Sequence, residues 1–124
     1  MTSHHALTSL AGRALISLIF IMSGFEKLTG YADTIAYMQK FGVPGLMLPL
    51  VILVELGGGL AILLGVFSRL AALALAFFCL AAAFIFHANF EDQMQSILFM
   101  KNLAMAGGLL LLFANGPGAL TLRD

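Results

Sequence analysis

Four apolar runs, each about 20 residues long, take up most of this 124-residue chain. They extend from Leu7 to Leu28, from Leu46 to Phe67, from Arg69 to His87 and from Ser96 to Ala114. A helix needs about 20 mainly apolar residues to cross a hydrocarbon core roughly 30 Å thick. Backbone that enters lipid must satisfy its own hydrogen bonds, which a helix does within itself. The runs therefore predict four transmembrane helices in a single domain covering residues 1–124. Composition agrees. The chain is 61% hydrophobic and 10% charged, with a mean hydropathy of +1.04, whereas soluble domains carry roughly 25% charged residues. Six Lys or Arg and six Asp or Glu residues are too few to coat a soluble particle, so the partner of this surface is the lipid bilayer. A net charge of zero points away from nucleic acid and from a basic lipid-binding tail.

The connections set the architecture. Between the first two runs, ADTIAYMQKFG places Ile35, Met38 and Phe41 on one side and Asp33, Tyr37 and Lys40 around the rest, the pattern of a helix lying at the membrane surface. Tyr31 and Tyr37 suit interfacial anchors, and Val43-Pro44-Gly45 ends the segment. Only Gly65 to Arg69 separates the second and third runs, which forces a tight antiparallel hairpin. HANFEDQMQ, polar and acidic, links the third to the fourth, and Asn115-Gly116-Pro117-Gly118 stops the last helix. The expected fold is all-α: an integral membrane antiparallel four-helix bundle with a short interfacial amphipathic helix between helices one and two. The N-terminus has no A-x-A-like cleavage site after the first run, so it does not read as a removed signal peptide. Four spans put both termini on one side, with Arg13, Arg69 and Arg123. Lysine and arginine counts are nearly equal on the two sides, so charge bias says little; the expectation is that both termini are cytoplasmic.

The informative residues are the ionisable ones inside the runs, because a charge at the bilayer centre costs about 2.5–3.5 kcal/mol on insertion scales. Glu55 lies about 14 Å along the second helix from Leu46, near mid-membrane. Lys101 is about two turns into the fourth helix. Glu26 and Lys27 close the first helix on the same side, His87 closes the third, and Asn102 adjoins Lys101. These six residues come from all four helices and are expected to gather in one half of the bilayer. From Arg13 to Glu26 is about 20 Å of helix, less than the core thickness, so at least one of them lies in the apolar zone or snorkels out of it. Gly57-Gly58-Gly59 permits close helix approach. Arg13, Gly58, Gly59 and Arg69 are therefore assigned structural roles. One cysteine, Cys79, precludes an internal disulfide and a CxxC site, and it reads as a small buried apolar residue. No phosphate loop, HExxH or Ser-His-Asp set is present, and no metal site is expected.

GRALISLIFIMSGFEKLTGYADTIAYM, ELGGGLAILLGVFSRLAALALA, and FH followed by DQMQSILFMKNLAMAGGLLLL resemble, in this order, the DoxX family of small bacterial membrane proteins. The likeness runs from Gly12 to Asp124. It implies an inner-membrane four-helix protein, associated in some members with redox and sulfur metabolism and with membrane oxidoreductase complexes. The matching positions are Arg13, Gly24, Lys27, Glu55, Gly58, Gly65, Arg69, His87, Lys101 and Asn102. The ending Thr121-Leu122-Arg123-Asp124 departs from the family's more usual Ser-Leu-Asp. The family offers no agreed catalytic residues, and the sequence names no reaction.

Two readings of the polar cluster follow. As a site, it holds the head of a quinone or similar small molecule, with Glu55 and His87 handling protons, in a redox-associated membrane subunit. As a salt-bridged plug, it fixes helix order in a non-catalytic anchor or scaffold that assembles with a partner protein or as a homodimer. A lone-chain transporter is disfavoured, since four unbroken spans show no inverted repeat.

Overall fold

Each apolar run folds as a helix in the computed structural model, which describes residues 3–123. In chain order the helices are α1 (Ser3–Thr29), α2 (Tyr31–Lys40), α3 (Gly45–Leu64), α4 (Ser68–Phe86) and α5 (Gln93–Asn115). All except the short α2 are long and apolar enough to cross a membrane. α5 begins at Gln93 rather than Ser96 because the Asp92 carboxylate accepts the Met94 N–H at 3.0 Å and caps the helix in front. α3 stops at Leu64 because Gly65 turns into the left-handed region at φ +75°.

α3 departs from the unbroken helix that the sequence predicts. It opens with a 3₁₀ turn over Gly45–Met47, continues as α-helix over Leu48–Ile52, widens into a π-helical turn over Leu53–Gly57, and resumes as α-helix over Gly58–Leu64. The wide turn is centred on Glu55 and runs into Gly57-Gly58-Gly59, whose backbone is the least resistant to leaving α geometry.

α1 packs along α3 and α4 along α5, α3 and α4 join the two pairs, and α1 scarcely meets α5. The first contact depends on missing side chains. A Cβ at Gly59 would lie 2.9 Å from Ile21 Cγ1, and one at Gly24 would lie 2.9 Å from Leu56. Gly58 faces Leu75 of α4, 3.1 Å from where its Cβ would be. Phe20, Ile62, Leu75, Cys79 and Leu109 fill the centre of the bundle. A second cluster of Met38, Leu48 and Ile52 seats α2 on the start of α3. Large apolar side chains cover the outside, Leu15 being 74% exposed and Phe77 64%. Such a surface is a liability in water and an ordinary contact in lipid.

The end of the bundle opposite α2 is closed by hydrogen bonds. The last four carbonyls of a helix have no intrahelical donor. In α3 the Ala61 carbonyl takes the N–H groups of Gly65 and Val66 at 2.9 and 2.8 Å, and Leu64 takes that of Leu122 at 3.0 Å. The buried Arg13 of α1 supplies the other two, its Nε donating to Ile62 at 2.9 Å and Nη2 to Leu63 at 2.9 Å. Its Nη1 donates to Pro117 at 3.2 Å and Leu120 at 2.6 Å in the C-terminal tail. That tail returns beneath the α3–α4 hairpin, where Arg123 exchanges bonds with Gly65 and Phe67 at 2.9 and 3.2 Å. Arg13 is thus buried within the bundle, whereas Glu26 is exposed. Phe67 holds a left-handed φ of +47°, a conformation that costs of order 1–3 kcal/mol, and its N–H is tied to the tail.

Arg13→Met should lower stability by at least about 3 kcal/mol, since buried carbonyls left unpaired cost about 1–3 kcal/mol each. The measurements are thermal unfolding in detergent and increased protease cleavage after Gly116. Gly59→Leu should lower the melting temperature, overpacking costing about 1–3 kcal/mol, whereas Gly107→Leu, with nothing within 4 Å, should leave it unchanged.

Candidate functional site

The weak contact between α1 and α5 leaves the other end of the bundle open. There a cavity of about 340 Å3 lies among α1, α3, α4 and α5, with Thr34, Tyr37 and Met38 of α2 across it. Its walls are mostly apolar, formed by residues such as Phe20, Val51, Cys79 and Met105.

Five of the six residues expected to gather do so. Lys27, Glu55, His87, Lys101 and Asn102 all line this cavity. Glu26 does not: it is exposed, because consecutive helical residues point about 100° apart and Lys27 takes the inward direction. Glu26 contributes its backbone carbonyl, which accepts from Gly30 N–H at 2.8 Å and the Thr29 hydroxyl at 3.0 Å.

Lys27 reaches across to α3, its ammonium 2.7 Å from Glu55 Oε1 with the carboxylate side chain only 5% exposed. It also donates to Ser23 Oγ at 2.7 Å, one turn back on the same face. Removing two charges from water is costly, and their attraction offsets this only with good geometry and further hydrogen bonds. The wide turn of α3 brings Glu55 to this position, π-turns being frequent at functional sites. The glycines beside Glu55 do not make the cavity, however, since Gly58 is filled against Leu75 and Gly59 against Ile21.

His87, just beyond α4, forms a 2.8 Å hydrogen bond through Nδ1 with the amide oxygen of Gln95. An amide oxygen only accepts, so in this pairing Nδ1 is the donor. Asn102 is 6% exposed, and among the described residues its amide has no hydrogen-bond partner. Lys101 is the one cavity-lining cation without a carboxylate among the described residues. Of the residues assigned structural roles, Arg69 lies at the closed end, its guanidinium over Gly116.

Several cavity residues were not foreseen. Ser23 carries a signal, being four residues before Lys27. Tyr37, expected as an interfacial anchor, stacks on Phe86 with ring centroids 5.4 Å apart, and Phe41 packs on both at 5.1 and 5.0 Å. This trio pins α2 to the end of α4 beside the cavity.

Residues 8–88 match the family model described as DoxX. The inner membrane protein YqjF of Escherichia coli K12 is 56% identical over 110 residues, covering 89% of this chain and 85% of the relative. The inner membrane protein YphA of the same organism is 38% identical over 120 residues, covering 91% and 86%. No solved structure matches significantly.

The buried ion pair predicts a double-mutant cycle with strong coupling. Lys27→Met strands a buried carboxylate and should cost roughly 3 kcal/mol, as breaking such pairs does. Adding Glu55→Gln should recover most of that loss. The check is the unfolding free energy of both single variants and the double variant in the same detergent; additive losses would contradict the coupling.

Proposed function

The chain belongs to the DoxX family, and we propose that it is a redox-associated inner-membrane subunit whose cavity binds a small lipid-soluble molecule of the quinone class. The observation that carries this reading is Asn102, a residue only 6% exposed whose amide has no hydrogen-bond partner among the described residues and which lines a mostly apolar cavity. An amide that opens onto an apolar cavity with no partner of its own is available to hydrogen-bond a ligand there. The volume, about 340 Å3, lies within the roughly 300–1,000 Å3 of small-molecule sites, which join an apolar wall to a few placed polar groups.

A quinone head fits that chemistry. Its ring and tail are apolar, and its carbonyl oxygens need donors, which Asn102 and the ammonium groups provide. Glu55, paired with Lys27, and His87, oriented by Gln95, are the groups through which protons reach or leave the head. Electrons come from a partner oxidoreductase on this reading.

Titration of a short-chain benzoquinone into the protein in lipid nanodiscs should give saturable binding. Asn102→Leu should weaken it about tenfold, the worth of one good hydrogen bond. Absence of saturable binding, with the helical fold intact, would favour the alternative of a membrane anchor whose ion pair only sets helix order.

A further inference from the structure

Lys101 lines the cavity, is exposed, and has no carboxylate partner among the described residues. It lies eight residues after Gln93 along α5, about 12 Å from the start of the helix. An ionisable residue within a membrane-spanning helix is a candidate ligand or ion site by default. The acidic residues nearest in sequence, Glu91 and Asp92, are exposed and outside the cavity, and so are Glu26 and Asp33. Among the described residues the only carboxylate on the cavity wall is Glu55, and Lys27 already lies 2.7 Å from it.

The charge balance of the wall is therefore uneven. Lys27 and Glu55 cancel, and the Lys101 cation remains; it and Asn102, whose amide is unpartnered among the described residues, are consecutive residues of one helix that both line the cavity. The cavity around them is apolar, which strengthens an electrostatic contact relative to water.

We propose that Lys101 and Asn102 form the anion-accepting end of the cavity, and that its ligand carries one negatively charged oxygen group on an apolar body. This rests on the reading of the cavity as a ligand site and narrows its ligand to the acidic members: ionised hydroxyquinones, with fatty-acid carboxylates and lipid phosphates sharing the same chemistry. Lys101 is the residue that selects for charge. Asn102 donates to neutral and charged ligands alike.

Binding is measured on the full chain in nanodiscs of zwitterionic lipid with three probes. These are a hydroxynaphthoquinone that is anionic at neutral pH, the methylnaphthoquinone of similar size that is neutral, and dodecanoate. The wild-type protein should bind the anionic naphthoquinone about tenfold more tightly than the neutral one, as a charge-assisted hydrogen bond allows. Lys101→Gln should abolish this preference, lowering the affinity for the anionic ring to that for the neutral one, and Lys101→Arg should preserve it. Equal affinity for the two rings, or a preference that survives in Lys101→Gln, overturns the proposal while the quinone reading stands. Lys101-dependent binding of dodecanoate with neither ring bound supports the anion site and removes the quinone class. Competition by added phosphatidylglycerol supports the same chemistry and identifies a lipid headgroup as its source.

Discussion

The bundle depends on one guanidinium. Arg13 of α1 is buried and donates to backbone carbonyls, two from the last turn of α3 and two from the tail after α5. No water is available in a hydrocarbon core to take those carbonyls, and a lysine could not reach so many with fixed geometry. The charge is tolerated here because four hydrogen bonds carry it onto peptide carbonyls. The same contacts fix where the first helix, the central hairpin and the tail lie relative to one another, so one side chain ties together segments far apart in sequence.

The closed end makes the open end affordable. With α1 held to α3 by Arg13 at one end and by Gly24 and Gly59 in the middle, and α4 held along α5, the two pairs separate only at the α2 end. There the space between them is filled incompletely, by a salt bridge, an amide and aromatic rings. α2 lies over this gap on a patch of its own, seated by Met38 against Leu48 and Ile52. Its outer face carries the polar residues, as the spacing of Asp33, Tyr37 and Lys40 implied, although Tyr37 turned out to serve the cavity side.

Hydropathy shows the spans and the surface helix directly, and a rise of about 1.5 Å per residue shows which ionisable groups share a depth. That was enough to collect Lys27, Glu55, His87, Lys101 and Asn102. It was not enough to decide between Glu26 and Lys27, which share a depth and differ only in the direction they face. Arg13's partners were hidden because they are carbonyls, and any residue type carries one. The wide turn around Glu55 was hidden for a similar reason: it is a change in backbone hydrogen-bond register, written in no particular side chain. Gln95, lying in a polar stretch, carried no sign that it orients His87.

That register change has a consequence for how the protein can diverge. A π-turn contains one residue more than the α-turn it replaces, so the two halves of α3 are out of phase with one another. The half before it, Leu48–Ile52, answers to α2 and the cavity; the half after it, Gly58–Leu64, answers to Arg13 and the tail. The surplus residue acts as a joint between two modules that share one helix. Substitutions that remodel the cavity end need not disturb the closed end, so a family built on this plan can keep one scaffold while the shape and lining of the cavity vary.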